Sequence, residues 1–133
     1  MIGLVVVAHG GLAEQLLAAT EHVVGKLEAA IAVAIDPADD IRAKQREVAE
    51  AVAAVDHGGG VVVITDMFGG TPANLAMGAL SSPNVEVIYG ANLPLLVKLA
   101  TRRDGELESA VSQALEAGRK YIDSAAHILQ SGN

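Results

Sequence analysis

The sequence predicts an α/β sandwich: a mainly parallel four-stranded sheet with helices on both faces. Three observations predict it. Short apolar, mostly β-branched runs alternate with longer amphipathic stretches in the order βαβαβαβα. One run, VVVIT at 61–65, shows no polar alternation, as expected of a strand buried on both faces. The joints between runs carry the glycine, proline and aspartate of turns and helix starts.

The elements follow in order. Residues 2–7 (IGLVVV) read as the first strand, with a helix from about Gly11 to Val24. Residues 29–35 (AAIAVAI) form a second strand, alanine-rich and so weaker by propensity. Asp36-Pro37 marks a turn, and Asp39 or Asp40 caps a helix to about Val55. Ile41, Val48, Val52 and Val55 share one face of that helix. After the third strand at 61–65, residues 66–70 (DMFGG) make a loop, and Thr71 reads as an N-cap with Pro72 at the first helical position. That helix runs to about Leu80, where Ser81-Ser82-Pro83 reads as its terminating turn. Residues 85–89 (VEVIY) give the fourth strand, and Asn92 caps a helix from Leu93 to about Arg102. Asp104-Gly105 is a turn before the last helix, from about Glu106 with Gly118 as its stop. The tail, residues 119–128, reads either as a continuation of that helix or as an added strand. With no internal repeat or linker, residues 1–133 are expected to form a single domain.

Composition narrows the function. Hydrophobic residues make up 51% of the 133, so a packed core is expected, and with 2% aromatics it must be aliphatic. The absence of cysteine excludes disulfides and thiolate chemistry, which fits a cytoplasmic protein. A formal net charge of -7 argues against a nucleic-acid partner. The N-terminal run lacks the basic residues of a signal peptide, and the uncharged stretch 67–85 is broken by Pro72 and Pro83. Any membrane role is therefore expected only through a partner. There is no P-loop, no HExxH-like ligand cluster and no GxSxG, so neither a cofactor, a metal nor a serine nucleophile is expected.

The chemistry converges on one sheet edge. In open α/β sheets, ligands bind beyond the carboxyl ends of the strands, where strand order reverses. His9 falls just past the first strand and Asp66 just past the third. A strand order of 2-1-3-4 would bring the imidazole and the carboxylate side by side. Each is followed by a glycine-rich helix entry, Gly10-Gly11 and Gly69-Gly70-Thr71. Helix starts offer unpaired N–H groups, and glycine lets an anion approach them closely. A histidine at a strand end is ordinarily structural or simply solvated, and an aspartate there ordinarily a cap. The joint placement of His9, Asp66 and two glycine-rich turns points instead to a nucleophilic imidazole oriented by a carboxylate, with amides and the Thr71 hydroxyl around a phosphoryl group. His22, His57 and His127 have no such surroundings in the sequence and read as surface or packing residues.

Three blocks, VVVAHGGLAEQLL, ITDMFGGTPANLA and YGANLPLLVKL, together resemble the mannose-family enzyme IIA of the bacterial phosphoenolpyruvate-dependent sugar phosphotransferase system. The DxxGGTPxN pattern at 66–74 is the most specific, and the resemblance spans nearly the whole chain. It implies a phosphotransferase in which His9 accepts a phosphoryl group from the phosphocarrier HPr and passes it to an enzyme IIB. Asp66 would hold the ring nitrogen that does not carry phosphate, and Gly69, Gly70 and Thr71 would line the phosphate loop. The resemblance further implies a sheet of order 2-1-3-4 and a homodimer exchanging a C-terminal antiparallel strand. Two departures stand out. Gly11 and Phe68 occupy positions where members carry tryptophans, which bears on the docking surface. The chain stops at Asn133 without the linker to a IIB domain, so a free-standing IIA is expected. Two other roles use the same histidine: a regulatory protein whose phosphorylation state controls a target, and the phosphocarrier subunit of a dihydroxyacetone kinase.

Overall fold

A computed structural model describes residues 1–67, 69–81 and 84–130. Phe68 and the Ser82-Pro83 turn lie outside the described residues. Four strands, β1 (Gly3–His9), β2 (Ala30–Ile35), β3 (Val61–Thr65) and β4 (Val85–Ile88), form one sheet of order β2-β1-β3-β4. Every pairing is parallel. Six α-helices accompany them among the described residues: α1 (Leu12–Val24), α2 (Ile41–Val55), α3 (Thr71–Met77), α4 (Leu93–Ala100), α5 (Leu107–Lys120) and α6 (Ala125–Gln130). A 3-10 turn, Gly78–Ser81, follows α3.

Strand alternation divides the core into two layers. Leu4, Val6 and Ala8 of β1, with Val62, Ile64 and Ile88, pack against Ala13 and Leu17 of α1, Leu95, Leu96 and Leu99 of α4, and Ala110 and Ala114 of α5. Val5 and Val7, with Val33, Ile35, Val61, Val63 and Val85, meet Val48, Ala51, Val52 and Val55 of α2 and Leu75 and Ala76 of α3. The central strands β1 and β3 are apolar on both sides because both sides are covered, which is why their sequences show no polar alternation.

The amino end of the sheet is closed by a buried cation. Arg103 donates through Nε to the Ile2 carbonyl and through Nη2 to the Ala29 carbonyl, both at 2.8 Å. Its own carbonyl accepts the Ile2 N–H at 2.8 Å. Burial pulls the guanidinium below its ordinary pKa, against the opposing influence of Asp104 and Glu28. These contacts tie the starts of β1 and β2 together, at the end of the sheet opposite the carboxyl termini of the strands.

Several local expectations are corrected. Ile41 shares the face of Val48, Val52 and Val55 but, in the first turn of α2, is 46% exposed. Of the two expected candidates, it is Asp40 that caps α2, as expected, by accepting the Arg42 N–H. Thr71 is the first helical residue of α3, and Gly70 is its cap. Gly118 does not stop α5, which runs on to Lys120. Its carbonyl accepts from Asn92 Nδ2 at 2.9 Å, while Asn92 Oδ1 caps α4 through the Leu95 N–H. The tail is helical rather than an exchanged strand: Ser124 Oγ accepts the His127 N–H, and Ala125–Gln130 forms α6. A local cap and two alanines favour helix there.

Gly118 makes the packing testable. An added Cβ would sit 3.1 Å from Leu95 Cβ. Alanine in a helix interior gains about 1 kcal/mol over glycine, whereas overpacking costs about 1–3 kcal/mol. Gly118→Ala is therefore expected to destabilise the fold by about 1 kcal/mol, read as a lower urea midpoint. A raised midpoint would show that α4 yields freely at Leu95.

Candidate functional site

His9 is the last residue of β1, paired with Ile35 of β2, so the strand runs two residues beyond the expected 2–7. Gly10 adopts a positive φ of 55° and donates to the Ile35 carbonyl at 2.9 Å, turning the chain out of the sheet immediately after the imidazole. Asp66 follows the last residue of β3 directly. Because β1 and β3 are hydrogen-bonded neighbours, with Val7 opposite Thr65, the two residues emerge at the same edge.

The contact between them is double. One oxygen of Asp66, Oδ2, lies 2.7 Å from His9 Nδ1 and 3.1 Å from the backbone nitrogen of His9. The other, Oδ1, accepts the Met67 N–H at 3.0 Å. The imidazole side chain is 52% exposed and the carboxylate only 12%. Burial pushes the Asp66 carboxyl up, but hydrogen bonds from the His9 ring and backbone, the His9 charge, and the Met67 N–H together outweigh it. The group accordingly titrates below its ordinary range. An ionised carboxylate only accepts hydrogen bonds, so it places the Nδ1 proton between the two residues, and in the neutral imidazole the lone pair is then on Nε2.

The glycine turns surround this pair. Gly11 caps α1 and Gly70 caps α3, and neither has a side chain to satisfy the first amides of its helix. Gly69 has a φ of 90°. Gly70 comes against His9: a Cβ built on it would lie 3.2 Å from Cε1 and 3.5 Å from Nε2 of the ring. Thr71 is exposed at the start of α3. The Thr65 hydroxyl, just before Asp66, is buried without a hydrogen-bond partner among the described residues. Its backbone carbonyl accepts the Ala91 N–H at 3.0 Å, which ties the YGAN segment to the same sheet edge.

One of the other histidines differs from expectation. His127 Nδ1 lies 2.7 Å from Asp123 Oδ1, so His127 does have a carboxylate partner. Asp123 lies two residues before α6 and four before His127, so the pair spans the start of that helix. The pair is solvated, with the His127 side chain 71% exposed. His9 is distinguished by its anchorage in a sheet rather than by the presence of an aspartate.

Comparison with known proteins gives a consistent result. The sequence pattern of the family described as "PTS system fructose IIA component" matches residues 3–116. The "PTS system mannose-specific EIIAB component" of Escherichia coli K12 is 31% identical over 124 residues, covering 91% of this chain but 38% of that protein. The chain therefore spans well under half the length of that relative. The mannose/sorbose-specific IIA subunit of Enterococcus faecalis superposes with a TM-score of 0.82 at 27% identity, covering 92% of each chain. The phosphotransferase system component EIIA of Streptococcus agalactiae shares the fold, with a TM-score of 0.85 at 20% identity over 96% of this chain and 99% of that one.

The lowered pKa of Asp66 fixes a sign for pH dependence. A carboxylate held below its unfolded-state value contributes stability at pH above about 4, lost as pH falls through the lower folded value. Asp66→Asn is therefore expected to be less stable than the parent chain at neutral pH, with the difference shrinking below about pH 4. Urea unfolding across that range measures it. A difference independent of pH would mean that the Asp66 charge adds nothing to the contact.

Proposed function

The chain belongs to the PTS system fructose IIA component family, and from that premise we propose that it is a histidine phosphocarrier that takes up a phosphoryl group on Nε2 of His9 and hands it on. The family places it among the phosphocarrier components of sugar phosphotransferase systems, proteins with phosphotransferase activity in general. The observation that carries the finer reading is the 2.7 Å contact between Asp66 Oδ2 and His9 Nδ1 on a half-exposed ring. It supports a nucleophile at Nε2 that a protein donor can reach.

In this reading the donor is the phosphohistidine of HPr. The Nε2 lone pair of His9 attacks phosphorus in line, and an N–P bond forms as the donor's N–P bond breaks. The electron pair of the broken bond returns to the donor imidazole. The Nδ1 proton stays on His9, held by Asp66, which stabilises the ring as its other nitrogen is phosphorylated. The reverse geometry delivers the group to an enzyme IIB. Gly10, Gly11, Gly69 and Gly70 leave room for the phosphoryl oxygens, and helix-start amides with the Thr71 hydroxyl complete their surroundings. Neither helix-entry turn, 10–11 or 66–71, contains Lys or Arg, which favours release over tight retention. The apolar Tyr121, Ile122 and Leu129, exposed beyond α5, favour a homodimer.

The test is direct. Incubation with phosphoenolpyruvate, enzyme I and HPr is expected to add one acid-labile phosphoryl group by intact mass, and His9→Ala is expected to add none. Asp66→Asn should keep the fold and slow uptake on the order of tenfold or more. An equal mass gain in His9→Ala would overturn the assignment of the nucleophile, and unchanged kinetics in Asp66→Asn would remove the carboxylate from the mechanism.

A further inference from the structure

The two glycines of the GGTP segment differ in why they are glycine. Gly69 has a positive φ of 90°, and a Cβ built on it would meet nothing within 4 Å. Its requirement is conformational, since side-chain-bearing residues are strained in that region. Gly70 is the reverse case. Its backbone, at φ −91° and ψ 176°, is ordinary extended chain that any residue adopts. A Cβ there, however, would lie 3.2 Å from His9 Cε1 and 3.5 Å from Nε2, with Pro72 Cδ next at 3.6 Å. The backbone gives no reason for a glycine at position 70. The imidazole does.

We propose that Gly70 is a positioning residue for His9: the missing side chain is the seat on which the ring lies, and it fixes where Nε2 stands against the first turn of α3. This deepens the phosphocarrier reading and rests on it for its functional consequence. The ring is held on two sides. Asp66 grips Nδ1 and the backbone nitrogen from β3, and the face of Gly70 limits the ring from the α3 side. A methyl group at Gly70 crowds Cε1 more closely than most real carbon contacts allow, so something must give. The half-exposed ring yields more easily than the capped start of α3 and swings outward, which strains the Asp66 contact and moves Nε2. The same methyl also occupies space beside Nε2, where an incoming phosphoryl group would be accommodated. An effect through the ring predicts a separation between activity and stability, because an exposed side chain can move without unfolding the chain.

Gly70→Ala and Gly69→Ala distinguish the two requirements. Gly70→Ala is expected to keep the thermal midpoint of the parent chain, to slow phosphoryl uptake from phospho-HPr on the order of tenfold or more, and to shift the ring ¹⁵N resonances of His9 away from the single Nδ1-protonated tautomer. Gly69→Ala is expected to lower the midpoint, with backbone strain as the cause. The inference is overturned if Gly70→Ala leaves both the His9 ring signals and the transfer rate unchanged. It is equally overturned if Gly70→Ala lowers the midpoint as Gly69→Ala does while the ring signals stay in place. Should the parent chain take up no phosphate, the phosphocarrier reading fails, and the ring resonances of Gly70→Ala still decide whether this glycine seats the imidazole.

Discussion

A single carboxylate oxygen, Asp66 Oδ2, holds both the backbone and the ring of His9, and the candidate site depends on that grip. A bond to the ring alone would leave an exposed side chain free to rotate with its partner. A bond to the backbone alone would fix the strand end and leave the tautomer open. Together they define where the imidazole is and which nitrogen carries the proton. The second oxygen is fixed by the Met67 N–H, so the carboxylate itself cannot turn away. This is affordable only at the rim of a rigid sheet, where β1 and β3 are paired through Val7 and Thr65 immediately beneath the two residues.

The rest of the fold serves that register. Parallel strands deliver successive carboxyl ends to one edge, and a 2-1-3-4 order places β1 and β3 at its centre with helices covering both faces. The aliphatic layers beneath the site are fully buried from Leu4 to Ala8 and from Val61 to Ile64, which leaves little freedom for the two strands to slide. At the opposite end, Arg103 locks the starts of β1 and β2 through the carbonyls of Ile2 and Ala29, the latter shared with the Leu4 N–H. This buried cation lies at the end of the sheet opposite His9 and Asp66. At the carboxyl edge, Asn92 joins the cap of α4 to the carbonyl of Gly118.

Much of this was legible in the sequence. The alternation of apolar runs and amphipathic stretches gave the element order, and the unbroken VVVIT run marked a doubly buried strand. His9 and Asp66 were identifiable because each ends an apolar run and precedes a glycine-rich turn. The misreadings have separate physical causes. Gly118 resembles a helix stop because glycine is a poor helix former, but here close approach of Leu95 requires it inside α5. Ile41 looks like a core residue by periodicity, yet it lies in the first turn of α2, beyond the reach of the sheet. The expected C-terminal strand came from resemblance, whereas the local capping of Ser124 and the alanines of the tail make it helical. Arg103 gave no signal at all, since nothing near it in the sequence indicates that its partners are carbonyls of residues 2 and 29.

The sequence by itself determined the class of fold, the aliphatic core and the residue types available for chemistry, because those follow from local periodicity and composition. Only the tertiary structure decided that Asp66 meets His9 at both ring and backbone, since that contact joins residues 57 positions apart through strand register. It also decided why Gly70 is glycine. Its backbone angles are ordinary, so the reason lies entirely in the ring of a residue on another strand, and no reading along the chain can supply a distance across it.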